Sequence, residues 1–161
     1  MFAASRQYLI EHLQAAGAKR PPYTSLKRLR LCTESAQTAV LFNRETLARS
    51  GRKATYQAGD AQHRRQTLYD RTIVWDVIIG DYTAEAAEAV YTAFLSGLGK
   101  GFWADGNYID LAATEADWVE EEDSILHAKV AVKLQISCTG PLCRDVELLP
   151  VTEYEIQPQK E

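Results

Sequence analysis

The stretch TIVWDVIIGDYTAEAAEAV, residues 72–90, changes its hydrophobic period once, and that change limits the folds open to the chain. Up to Ile79 the pattern has the period of two that a β-strand requires. Tyr69, Ile73, Trp75, Val77 and Ile79 share one face, and Leu68, Asp70, Thr72, Val74, Asp76 and Ile78 share the other. The first face is continuously apolar near its end and the second is mixed. From Thr83 onward Ala87, Val90, Tyr91, Phe94, Leu95 and Leu98 recur at three- and four-residue intervals, the buried stripe of a helix. Thr83 is a suitable N-cap, and Glu85 and Glu88 lie in the early turns, where the helix dipole favours anions. Only Gly80, Asp81 and Tyr82 separate strand from helix. A strand covered on one side by the helix that follows it is an antiparallel sheet with helical cover.

The remaining segments fit that plan. Residues 2–16 place Phe2, Leu9, Ile10, Leu13 and Ala16 near one helix face, with Gly17 as a stop, and Pro21 and Pro22 then break structure. SLKRLRLC is expected to be a strand, and TAVLFN a second, short one. Residues 44–65 are polar and basic and contain Gly51 and Gly59, which predicts a long loop or an extended hairpin arm outside the core. SGLGKG ends the second helix, and Asp105-Gly106 signals a tight turn. Residues 126–138 alternate cleanly, with Leu134, Ile136 and Cys138 on the apolar side. Residues 108–122 are expected to pair with them through a turn at EEEDS. TGPL is read as a further turn, leading into a last strand, RDVELL. The predicted fold class is therefore α+β, a mainly antiparallel sheet with two helices on one face and a long arm. A single domain spans residues 1–149, and 150–161 form a C-terminal extension.

No chemistry-bearing motif accompanies this plan. GDYT offers one glycine and an aspartate where a phosphate cradle needs several glycines and a cation, and it lacks the G-x-S-x-G of a nucleophile elbow. GLGKG follows a helix instead of opening one. His12, His63 and His127 have no paired spacing, and Cys32, Cys138 and Cys143 form neither a disulfide framework nor a zinc pattern. Cys138 and Cys143 flank the expected TGPL turn, which would bring them close as two reduced thiols. Glu115, Asp117, Glu120, Glu121, Glu122 and Asp123 lack the glycine and alternating ligands of a calcium loop. No apolar run is long enough to span a membrane, and the first residues lack the apolar block of a signal peptide, so cytosolic synthesis is expected.

Charge is unevenly distributed. Residues 1–71 carry thirteen Lys/Arg against five Asp/Glu, a balance of +8; residues 72–161 carry five against seventeen, a balance of −12. Such a split suits a nucleic-acid surface or self-association of opposite patches, unless the fold interleaves the two halves. The basic residues of the arm, Arg44, Arg49, Arg52, Lys53, Arg64 and Arg65, have Tyr56 as their lone aromatic companion, which offers little surface for stacking bases. Contact with protein is the favoured use of this arm.

The order of segments resembles the phage tail terminator family and related tail-completion proteins of prophages. The likeness lies in an N-terminal helix (SRQYLIEHLQAAG), strands joined by a long polar arm, a long strand running into a helix (TIVWDVIIGDYTAEAAEAVYTAFLSGL) and a final hairpin (YIDLAATEADWV with ILHAKVAVKLQI). It covers roughly residues 5–138 and involves no short motif. The resemblance implies a structural virion protein with no catalysis, cofactor or metal. It would be assembled in the host cytoplasm into the virion tail, as a homo-oligomeric ring commonly of six subunits. Such a ring caps the tail tube, stops its polymerisation and joins it to a neck or head-completion protein, while genomic DNA passes through the bore without specific binding. A compact chain of this length has an equivalent radius of ~20 Å, so six in a ring leave a bore ~40 Å wide, enough for duplex DNA. The arm residues are expected at the subunit interface, and the acidic residues 115–123 in the lumen or on a ring surface. A nucleic-acid-binding module using the basic half is the alternative, along with another head-tail neck or completion role.

Overall fold

The computed structural model describes residues 1–119 and 130–148. Among these, three helices and six strands occur in the order α1 (Phe2–Ala15), α2 (Leu26–Leu29), β1 (Gln37–Arg49), β2 (Lys53–Ala58), β3 (Ala61–Asp81), α3 (Ala84–Gly97), β4 (Gly101–Ala104), β5 (Asn107–Val119) and β6 (Val130–Leu148). The strands form one sheet in the order β1-β3-β6-β5-β4, with β2 also on β3. Every pairing between them is antiparallel. The α+β class expected from the sequence is the class of the fold.

The 21-residue β3 is the spine of the sheet, and its alternation sets the two faces. Ile73, Trp75, Val77 and Ile79 join Val40 of β1 and Val132, Leu134, Ile136 and Cys138 of β6 in the main core. Leu9 and Leu13 of α1 and Phe94 of α3 cover that face. Two polar groups are drawn into this core as a pair: the Trp75 indole Nε1–H donates to Ser5 Oγ at 3.1 Å, so neither is left unmet. Thr83 caps α3 as expected, its Oγ1 accepting from the Ala86 N–H at 3.2 Å. The preceding Asp81 is committed to structure as well, accepting from the Tyr82 N–H and pairing with Lys19 at 3.1 Å.

Several sequence expectations are overturned. SLKRLRLC is no strand; Leu26–Leu29 is a single helical turn entered from an extended Ser25. Leu, Lys and Arg are good helix formers, and only Leu29 is fully buried, whereas Leu26 and Leu31 remain exposed. No alternating apolar face existed to fill. Leu29 packs on Ala39, Ile78 and Ala131, which lie on the sheet face away from α1 and α3. The helical cover is therefore not confined to one face.

TGPL is no turn either. β6 runs unbroken from Val130 to Leu148 through Gly140 and Pro141, and the expected last strand is its second half. The last β5 partner of β6 is Thr139, so Pro141 lies where β6 has become an edge, the place where a strand tolerates a residue without an N–H. Cys138 and Cys143 are consequently five positions apart on one straight strand, ~16 Å at the usual rise. They do not come close. The EEEDS turn and the 150–161 extension lie outside the described residues.

Candidate assembly surface

Residues 44–65 adopt the hairpin alternative. β1 continues to Arg49, breaks over 50–52, resumes as β2 and returns as β3. The break stays within the ladder: the Ser50 N–H donates to the Leu68 carbonyl, and the Thr67 N–H to that of Arg52, each at 2.9 Å. The tip is a two-residue turn at Gly59 and Asp60, with Gly59 at φ +61°, a conformation that favours glycine. The second half of β6 lies along the other side of β3, from Cys143↔Thr67 to Leu148↔Gln62. The arm is thus three strands wide, which a hairpin alone would not be, and that makes it a stiff continuation of the sheet.

Helical cover stops at the base of this arm. Phe2, at the start of α1, packs against Phe42 and Trp75 with ring centroids 5.5 and 4.8 Å apart. Beyond it the same sheet face continues bare. Leu47 sits opposite Arg71, and Leu142 opposite Tyr69. Phe42, Leu47, Leu142 and Val146 are 49, 57, 44 and 46% exposed. Sequence reasoning missed these apolar residues because it treated the arm as polar; Leu142 and Val146 share a face by simple alternation within PLCRDVEL, but Phe42 and Leu47, five positions apart in VLFNRETL, reach one face only through the bulge at Asn43.

The six predicted basic residues divide into two groups. Arg52 pairs with Asp70. Arg65 donates two parallel bonds to Asp145, Nε to Oδ1 at 2.8 Å and Nη2 to Oδ2 at 2.7 Å. Tyr56 adds its hydroxyl to the same carboxylate at 3.2 Å and lies under the Arg65 guanidinium and beside His63. The Arg65 bonds hold the Asp145 carboxyl below its ordinary range and raise the guanidinium's own pKa. This contact joins the basic and acidic halves of the sequence, so part of the charge split is cancelled inside the chain. Arg44, Arg49, Lys53 and Arg64 are exposed and have no ion-pair partner among the described residues.

Of the predicted acidic set, Glu115 and Asp117 lie exposed on β5, directly opposite Gln135 and Lys133 of β6. They share the second face of the sheet with Asp76, which accepts from Asn43 at 2.8 Å and pairs with Lys133 at 3.1 Å. Glu120, Glu121, Glu122 and Asp123 lie outside the described residues. The fold does not bring the basic and acidic predicted sets together within one chain: Arg44 and Arg49 belong to one margin of the sheet, Glu115 and Asp117 to the other.

Those margins are both half open. On the outer side of β1, Tyr23 bonds Thr38 and Val40, leaving residues 41–49 without an outer backbone partner among the described residues. On the outer side of β5, β4 pairs residues 107–110 and Lys100 accepts from the Leu111 N–H, leaving 112–119 in the same condition. A small pocket between residues 17–20, the start of β1, the end of β3 and Val90 of α3 has Lys19, Gln37, Thr38 and Asp81 among its lining residues. The Gln37 amide and Thr38 hydroxyl are buried there without a partner among the described residues. Among the described residues no cluster of His, Cys, Asp and Glu is placed to hold a metal ion. Cys138 is buried in the core, its thiol pushed up to about 12 by desolvation, which keeps it protonated at neutral pH.

No protein-family model matches this sequence. The curated proteins contain no match to it.

Proposed function

We propose that this chain is a structural subunit that acts by assembling with copies of itself, as a phage tail terminator or tail-completion protein. It forms a ring on the end of a tail tube, ends tube growth and presents a surface to the neck or head. The observation that supports this most is the arm: a stiff three-stranded extension that leaves its helical cover behind and carries exposed apolar side chains and basic ones with no ion-pair partner among the described residues. Exposed apolar side chains grouped with charged ones in this way suit association. Glu115 and Asp117, exposed on the face away from α1 and α3, suit a position on a ring surface.

The test adds the purified chain to growing tail tubes and follows tube length and end structure by electron microscopy. Capped ends and arrested growth are expected; unchanged growth with bare ends overturns the reading. A second reading, a nucleic-acid-binding module, draws on the exposed Arg44, Arg49, Lys53 and Arg64. Tight gel-shift binding with a steep salt dependence would favour it over assembly.

A further inference from the structure

Building on the assembly reading, we propose that the joint between copies is a strand pairing: the open outer edge of β1, residues 41–49, joins the open outer edge of β5, residues 112–119, of a second copy. Among the described residues both edges lack an outer partner for a similar length, nine and eight residues. Unpaired strand edges attract other strands, and folded proteins blunt them with charge and bulges. Each edge here is interrupted by one bulge, at Asn43 and at Thr114, beyond which the regular runs 44–49 and 115–119 remain. Their charges are opposite. The open β1 edge bears Arg44 and Arg49, its only acid, Glu45, being paired with Arg71; the open β5 edge bears Glu115 and Asp117 and no cation. A β5·β5 contact sets carboxylates against carboxylates, and a β1·β1 contact brings the guanidinium groups together. Like pairing is disfavoured on both edges and unlike pairing is favoured.

The match extends to the two faces of the sheet. Register places Arg44 beside Val74 on the second face, the same face as Glu115 and Asp117. Phe42 and Leu47 lie on the helical face, as do Ala113, Ala116 and Trp118 of β5. All five are exposed. Across the joint, Arg44 meets Glu115 and Asp117 on the second face, and Phe42 and Leu47 meet Ala113, Ala116 and Trp118 on the helical face, where Arg49, opposite Tyr69, also lies. Strand direction also agrees. The order β1-β3-β6-β5 is antiparallel throughout and holds four strands, so β5 runs opposite to β1. A neighbour placed beside β5 in the same orientation offers β1 antiparallel, and the ladder continues through the joint. Because one edge meets a different edge, the contact is head-to-tail and generates a ring if the rotation closes.

Light scattering of the full chain across concentrations tests the joint, with folding verified by circular dichroism and thermal melting. Arg44→Glu alone, and Glu115→Arg with Asp117→Arg, are each expected to raise the dissociation constant of assembly by ~10-fold or more. Combining all three changes in one chain should return it to within ~3-fold of the parent, since the charges are merely exchanged across the joint. Should a reversed variant fail to fold, Arg44→Lys keeps the charge and supplies an amine. Carbodiimide should then link Lys at that position to Glu115 or Asp117 of another copy, identified by mixing ¹⁵N-labelled and unlabelled chains. Reversed variants that assemble like the parent, a combination that is not restored, an inter-copy link that does not form, or a parent that stays single at all concentrations would each overturn the joint. Tube capping separates the two claims. Capping that survives charge reversal leaves the tail reading standing without the joint. A verified joint without capping leaves the joint standing without the tail reading.

Discussion

Arg65 and Asp145 are eighty positions apart in sequence and face each other across the β3·β6 pair, joined by two parallel hydrogen bonds. The contact ties the acidic end of β6 to the basic stem of the arm. Its pH dependence follows from the lowered Asp145 pKa. A carboxyl whose folded pKa lies below its unfolded value stabilises the fold above the unfolded pKa, roughly 3.9, and loses that contribution as pH falls through the folded one. Asp145→Asn should therefore lower the melting temperature slightly at pH 7, and the difference should shrink as pH falls below the unfolded value. Melting curves from pH 7 to below that value check it; an equal gap between variant and parent at both ends refutes it.

Ser5→Ala removes the acceptor of the buried Trp75 indole. An unmet buried donor costs about 1–3 kcal/mol, well above the loss of one exposed hydrogen bond. Leu9→Ala, which opens a cavity in the same core, should cost about 2–5 kcal/mol. Urea unfolding measures both, and a Ser5→Ala variant as stable as the parent would show that the indole finds another partner.

Gly101 and Gly140 both lie tightly packed, but against different atoms. A Cβ on Gly101 would run into the Ile109 carbonyl oxygen, a backbone atom that its own strand holds in place. On Gly140 it would meet the Ile109 Cδ1, a side-chain tip in the core instead of a backbone atom. Gly101→Ala should accordingly destabilise by about 3 kcal/mol and Gly140→Ala by about 1, the two ends of the usual overpacking range. Equal losses in denaturant melts would contradict that contrast.

Cys143, half-buried on the arm, should be alkylated well before Cys138, which should react only on unfolding. No Cys138–Cys143 disulfide should form under mild oxidation, because a bridge requires Cα atoms within ~7 Å. The raised Cys138 pKa adds a second expectation. The buried neutral thiol stabilises the fold fully below about pH 8.5, the free-thiol value, and that contribution is lost as pH climbs toward 12. Cys138→Ser should flatten the alkaline loss of stability. Peptide mass spectrometry after labelling, and melts between pH 8 and 11, are the checks.

Where local pattern and final environment agree, the sequence was sufficient. The strand-to-helix switch around Gly80, the cap at Thr83, the turn at Asp105-Gly106 and the alternation of Val132, Leu134 and Ile136 all depend on residues a few positions apart. A period of two or 3.6 and a capping hydroxyl are local properties. The sequence likewise located the unusual segment, residues 44–65, by its polarity. Tertiary structure alone decided what that segment became, because a strand's status depends on which strand lies beside it. β6 runs past Pro141 only because β5 has ended there, and it stiffens the arm through residues some eighty positions away. Leu26–Leu29 coils into a turn because one leucine, not an alternating row, found a place on the far face of the sheet. Partnering across such distances decides which edges remain open, and neither periodicity nor composition records it.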